Sequence, residues 1–203
     1  MRKLRTRFLL IALLLPALAA CGSSKPTRLY TLTPSADRAA AAPGRGIGVG
    51  VGPVSLPKYL DRPQLMTRTA ANSLAQADLD QWGGELNDNV TRVIALDLAN
   101  LLGTDRVSLY PWKDRTPVDY QVTVDIMKFE QDTDGAAVLD AFWSLVNPDN
   151  DKVLLMRRSS YRDTGAPAAS AGGNYDAIAA AMSRNLDALC RDIAQAIQTQ
   201  KRP

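Results

Sequence analysis

The chain has no histidine among its 203 residues. That absence removes Ser-His-Asp and Cys-His catalysis, histidine metal sites and a histidine pH switch. Cysteine is almost as scarce, with Cys21 and Cys190 the two present. Once either sulfur is otherwise used, no intramolecular disulfide can form, even in an oxidising compartment. Cys190 falls four residues after Leu186 and three before Ile193, on the apolar face of a helical pattern. There a cysteine behaves as a small hydrophobe, and no sequence neighbour lowers its pKa. The body also lacks a basic run. Arg2, Lys3, Arg5 and Arg7 supply four of the 24 basic residues, and the remaining 20 face 21 acidic ones. Nucleic-acid binding, which depends on neutralising phosphates, has no support.

What is present begins with those four basic residues, followed by an uncharged apolar run from Phe8 to Leu18. The run is shorter than the ~20 residues that cross a bilayer, and small residues follow it, as in a secretory signal peptide. The cleavage region Leu18-Ala19-Ala20-Cys21 is similar to the lipobox of bacterial lipoproteins. It implies removal of residues 1–20 and acylation of Cys21, which then anchors the mature chain. Each buried acyl methylene is worth about 0.8 kcal/mol, and more than one acyl chain is needed for lasting attachment. Gly22 rather than Asp at the next position, by resemblance to the sorting rule of enteric bacteria, favours the outer membrane. Residues 21–27 form a tether whose seven steps to Arg28 span at most about 23 Å at ~3.3 Å each. Residues 28–203 are sufficient for one domain with a real core.

Arg28 to Leu32 alternates as a short strand, and the Ala-, Pro- and Gly-rich stretch 35–45 reads as a loop. Ile47, Val49 and Val51 oppose a glycine face of Gly46, Gly48, Gly50 and Gly52, which permits close approach by other atoms. A phosphate loop would need a helix next, whereas Pro53 and Val54 continue an extended chain. Pro53 to Pro63 reads as an ordered, non-helical connection. Gln64–Thr69 and Ser73–Asp78 form a hairpin across Ala70-Ala71-Asn72.

Glu85 to Leu102 carries Leu86, Val90, Val93, Ile94, Leu98, Leu101 and Leu102 at helical spacing, with Gly103 as the stop. Val107–Tyr110 is a short strand. Val118 to Ile126 alternates cleanly, and Ala136–Val146 and Lys152–Tyr161 follow after turn signals, which predicts an antiparallel meander. In the middle strand Leu139, Ala141, Trp143 and Leu145 make one apolar face while Val138, Phe142 and Val146 make the other. Such a strand is covered on both sides, or half of it is an oligomer or ligand surface, and a homo-oligomer is predicted from it. A final helix runs from an Asn174 cap to Gln200 on the stripe Ile178, Met182, Leu186, Leu189, Ile193 and Ile197. The expected fold is α+β, a mainly antiparallel sheet with two long helices packed on one face.

Several stretches together carry a family resemblance: the lipobox, Tyr30-Thr31-Leu32, Gly50 to Pro57, Tyr59-Leu60-Asp61-Arg62-Pro63-Gln64, and Trp82 followed by Leu86-Asn87-Asp88-Asn89-Val90. The chain resembles the ABC-transport auxiliary lipoproteins of the PqiC/YmbA type over essentially its whole mature length. Gly83-Gly84 stand where bulkier residues would be expected. The resemblance implies a non-enzymatic outer-membrane lipoprotein that works with a periplasmic MCE-domain protein forming a lipid tunnel, with no cofactor and no metal. Tyr59, Leu60, Asp61, Arg62 and Phe142 are the candidate partner-binding residues. A lipid-binding carrier is the alternative, requiring an apolar pocket between sheet and helices. A hydrolase using carboxylates such as Asp61 and Asp88 is a weaker third reading, since both stand among ordinary surface residues.

Overall fold

The computed structural model describes residues 25–34, 46–112, 117–165 and 174–200. The expected signal segment 1–20, Cys21, the loop expected over 35–45 and residues 166–173 lie outside the described residues. The elements are β1 (Arg28–Tyr30), β2 (Val49–Ser55), β3 (Gln64–Ala70), β4 (Ser73–Trp82), α1 (Leu86–Leu102), β5 (Val107–Leu109), β6 (Tyr120–Gln131), β7 (Ala137–Asn147), β8 (Lys152–Asp163) and α2 (Tyr175–Thr199).

Both helices form where their apolar stripes end in suitable caps. Gly103 takes φ 60°, and its N–H reaches the carbonyls of Ala99 and Asn100, a left-handed stop that glycine tolerates. At the start of α2 the Asn174 side chain accepts from the Ala177 N–H. The stripes of α1 and α2 meet each other and one face of the sheet in a single core that includes Ile94, Leu98, Leu186, Leu189 and Ile193. Val122, Val124 and Ile126 of β6 lie opposite Leu145, Trp143 and Ala141 of β7 on that same face.

The sheet corrects one expectation. It is mixed rather than mainly antiparallel: among the described strands β1 runs parallel to β4, and β2 runs parallel to β5 and β6, as β3 does to the end of β6. The antiparallel pairs are β3 with β4 and the meander β6–β7–β8. The physical reason is a long return. The β3–β4 hairpin, α1 and β5 intervene between β2 and β6, and this length of chain supplies the crossover that parallel neighbours require. One edge of β6 is divided, with β2 along residues 120–125 and β3 at Gln131, while β7 occupies the other edge.

Several strands differ in extent from their sequence patterns, among them β4, which runs to Trp82 rather than Asp78. β2 continues through Pro53 to Ser55, with a register shift between Val51 and Val54, the kind of irregularity where a strand accepts proline. β6 runs on to Gln131 because a bulge between Ile126 and Lys128 changes the phase of the alternation, turning Phe129 inward. The glycine face of β2 is filled by aromatic rings from the segment after β5. A Cβ at Gly50 would lie 2.6 Å from the Trp112 ring, and one at Gly52 would lie 2.6 Å from Tyr110 Cβ.

Candidate docking site

The described stretches that carry the resemblance are scattered along the chain, and hydrogen bonds tie Tyr30-Thr31-Leu32, Val54, the 57–63 loop and Trp82 to one another and to the start of α1. Asn89, on the first turns of α1, grips Tyr30-Thr31-Leu32: its Oδ1 accepts from the Leu32 N–H at 2.7 Å and its Nδ2 donates to the Leu32 carbonyl at 3.3 Å. Asn87 Nδ2 donates to the Val54 carbonyl at 3.0 Å, tying α1 to β2. Trp82 N–H donates to the Pro63 carbonyl at 2.6 Å and Gly83 N–H to the Tyr30 carbonyl at 2.7 Å. These two bonds join the end of β4 to the 57–63 loop on one side and to β1 on the other.

The loop Pro57 to Pro63 divides its residues between core and surface. Leu60 is buried in the main core. Tyr59 donates its hydroxyl to Glu130 Oε2 at 2.7 Å, and Arg68 donates to Glu130 Oε1 through Nε at 3.0 Å and Nη2 at 2.6 Å. Glu130 is wholly buried, so its charge is compensated by Arg68 and by these hydrogen bonds. Burial, and next the Glu130 carboxylate, push the Tyr59 phenol above its ordinary pKa. Tyr59 and Leu60 therefore hold the loop down, and Asp61 and Arg62 stay exposed.

Asp61, Arg62 and Pro63 line an open cleft of about 490 Å³ with Trp82, Gly84 and Leu86. A second cleft of about 260 Å³ adjoins it across Trp82, Gly84 and Glu85, and includes Asp88, Asn89 and Arg92. Gly83-Gly84 make the saddle between them, with nothing within 4 Å of a Cβ placed on Gly84. The surface thus mixes Asp61, Glu85 and Asp88 with Arg62 and Arg92 around a tryptophan edge, which suits a polar protein contact better than a buried small molecule. Asp61 and Asp88 lie in the two different clefts. Among the described residues no group of three His, Cys, Asp or Glu side chains could hold a metal ion, and no helix is long and apolar enough to cross a membrane.

Phe142 lies elsewhere, on the sheet face turned away from the helices. It is 42% exposed, with the Arg158 guanidinium 5.8 Å from its ring centre. A cleft of about 300 Å³ beside it runs between Pro53, Thr123, Ser144 and Met156.

The family model described as an ABC-type transport auxiliary lipoprotein component matches residues 30–194. The chain belongs to that family. An auxiliary lipoprotein component is thereby a lipid-anchored accessory of a transport system, and the family is one of transport accessories rather than a known enzyme family. A crystal structure of a Xanthomonas campestris protein is similar in fold, with TM-score 0.66 at 18% identity over 85% of this chain and 100% of that one. Another solved protein gives TM-score 0.66 at 17% identity, covering 85% of this chain and 99% of its own. A structure described as a PelC dodecamer from Paraburkholderia phytofirmans gives TM-score 0.46 at 14% identity over 84% of this chain and 99% of that one. No curated protein matches the chain. For this auxiliary lipoprotein, sequence reasoning does not single out Glu130 or Arg68. The available signal is the run Phe129-Glu130-Gln131, which breaks the alternation after Ile126.

Proposed function

We propose that this auxiliary lipoprotein is of the PqiC/YmbA type: acylated at Cys21, held in the outer membrane facing the periplasm, and docking the tunnel-forming MCE-domain component of an intermembrane lipid transport system. The observation that carries the reading is that Thr31, Trp82, Asp88 and Asn89, with Asp61, Arg62 and Leu86, all from the resembling stretches, line two adjoining clefts at the start of α1. A body tethered within about 23 Å of its membrane cannot cross the periplasm, so a partner must bridge the gap. The carrier alternative draws no support from the described core, in which Trp143, Phe129, Leu139 and Leu186 fill the space between sheet and helices.

The test is capture of the MCE-domain protein from detergent-solubilised envelope by the full lipoprotein. Capture should weaken sharply when Asp61→Arg and Arg62→Glu are combined in a protein that melts like the parent. Equal capture by parent and variant refutes this docking surface, and recovery in the inner-membrane fraction on a density gradient refutes the location. Self-association is assigned to the Phe142 face, where Met127 and Met156 are also exposed. Sedimentation of the chain lacking residues 1–21 should show an oligomer that Phe142→Asp dissociates. A strict monomer at high concentration refutes it.

A further inference from the structure

The direction of β1 bears on which end of the fold meets the bilayer. β1 is parallel to β4, with Arg28, Leu29 and Tyr30 opposite Asp80, Gln81 and Trp82. A strand parallel to β4 is entered from the side where β4 begins, which is the tip of the β3–β4 hairpin at Ala70 to Ser73. The entry point is firm. Arg28 pairs with Asp80 through Nε at 2.7 Å and Nη2 at 2.9 Å, Tyr30 donates its hydroxyl to Asp80 Oδ1 at 2.8 Å, and Asp80 is buried.

Lengths agree with this direction. Cys21 stands seven residues before Arg28, and Ser73 seven before Asp80. At ~3.3 Å per residue both intervals span at most about 23 Å, so seven residues are long enough for Cys21 to reach level with the hairpin tip. The last rung between β3 and β6 joins Thr67 to Gln131, where β6 ends. Residues 68–70 and the turn therefore project about 10 Å past that rung. The projection is braced by Arg68, which binds Glu130 on β6 and donates from Nη1 to the Ala71 carbonyl at 3.0 Å. The tip itself, Thr69-Ala70-Ala71-Asn72-Ser73, is exposed, small and uncharged. It carries no acidic group to be repelled by an anionic lipid surface.

We infer that the β3–β4 hairpin tip is the part of the body that rests on the lipid headgroups, with the Trp82–Glu85 clefts held at the far end of β4 facing away from the membrane. This rests on acylation of Cys21. Nine residues from Ser73 to Trp82 place the clefts roughly 30 Å along the strand from the tip, clear of the headgroups and open to a periplasmic partner.

The experiment uses the full acylated lipoprotein in vesicles of phosphatidylethanolamine and phosphatidylglycerol that contain headgroup spin-labelled lipid. Asn72→Cys, Ser73→Cys and Gly84→Cys proteins each carry a fluorophore on the new thiol, since Cys190 is buried. All three sites are exposed, and two tip variants guard against a local defect in either. Both tip labels should be quenched several-fold more than the Gly84 label. Inserting a long flexible segment between Ser24 and Lys25 should erase that difference. Equal quenching, or stronger quenching at Gly84, in protein that floats with the vesicles overturns the orientation while leaving the anchor intact. An unmodified Cys21 by mass spectrometry, or protein that does not float, removes the anchor and this inference together.

Discussion

Replacing Glu130 by glutamine tests whether the 57–63 loop is held by charge. The carboxylate is fully buried and takes hydrogen bonds from Tyr59, from two nitrogens of Arg68, and from the Phe129 N–H at 3.2 Å. Glutamine keeps the shape but removes the charge opposite Arg68. Losing one hydrogen bond to a charged group costs about 1.5–3 kcal/mol, and stripping one partner from a buried ion pair costs about 3–5 kcal/mol. The Arg68 side chain is 15% exposed and keeps its bond to Ala71, so partial hydration brings the expected loss to about 3 kcal/mol. Urea denaturation of the chain lacking residues 1–21 would read this as a lower midpoint at unchanged slope. Combining Arg68→Met with Glu130→Leu removes both charges, and that double variant should be far more stable than the two single losses added together. A Glu130→Gln cost below about 1 kcal/mol, or simple additivity in the cycle, refutes the account.

Gly50→Val should destabilise by about 1–3 kcal/mol, because the new side chain displaces the Trp112 ring; no change in the melting midpoint would contradict that packing. Cys190 is sealed between the helices, with its Sγ directed at the Ile94 carbonyl. Burial, with Asp97 and Asp187 adding to it, pushes its thiol pKa up. It should resist thiol reagents in the native state and react at the unfolding rate, whereas prompt labelling would place it elsewhere. Tyr30 is pushed up to about 12 by burial and then by Asp80, and Tyr59 and Tyr161 are raised as well, both by burial first. The native state then keeps phenolic protons that the unfolded chain releases near about pH 10, so this stability is intact below about pH 10 and falls as pH rises toward the folded values. Chemical denaturation across alkaline pH should show the decline, and Tyr30→Phe should make it shallower; identical profiles would refute the linkage. At the acid end, Arg184 holds Asp163 below the usual carboxylate range. Its contribution is present above about pH 4 and disappears on further acidification, a loss that Asp163→Asn should reduce in the acid arm of the same measurement.

The helices were legible because their signals are local. The stripe from Leu86 to Leu102 ends at a glycine in the required left-handed conformation, and Asn174 caps α2 through an oxygen three residues from its donor. The meander was legible because turn residues separate its strands. Strand neighbours across long gaps were not. Val49 and Val51 alternate in the same way whether their neighbour runs parallel or antiparallel, since alternation reports burial of a face and carries no direction. The bulge in β6 hid Glu130 for a related reason: counted on from Ile126 without a shift, the phase of Phe129 comes out reversed. The ion pair then joins residues 62 apart, a distance over which no local pattern speaks.

The segment Tyr59-Leu60-Asp61-Arg62 shows why a recognisable stretch is not by itself a binding site. Leu60 enters the core and Tyr59 reaches a buried carboxylate 71 residues away, so half of this signal specifies how a non-helical loop is pinned against β6. The other half points outward, with Arg62 resting on Gln76 of β4 at 3.1 Å and Asp61 at the cleft rim. A loop pinned by its inward residues can present its outward ones with little ordering cost on association, because the backbone is already fixed before a partner arrives. Exposed charges on a stiff rim govern encounter and partner choice more than raw affinity. The physical role of Glu130 is thus indirect: buried beneath the loop, it fixes the geometry in which the proposed docking surface would present Asp61 and Arg62.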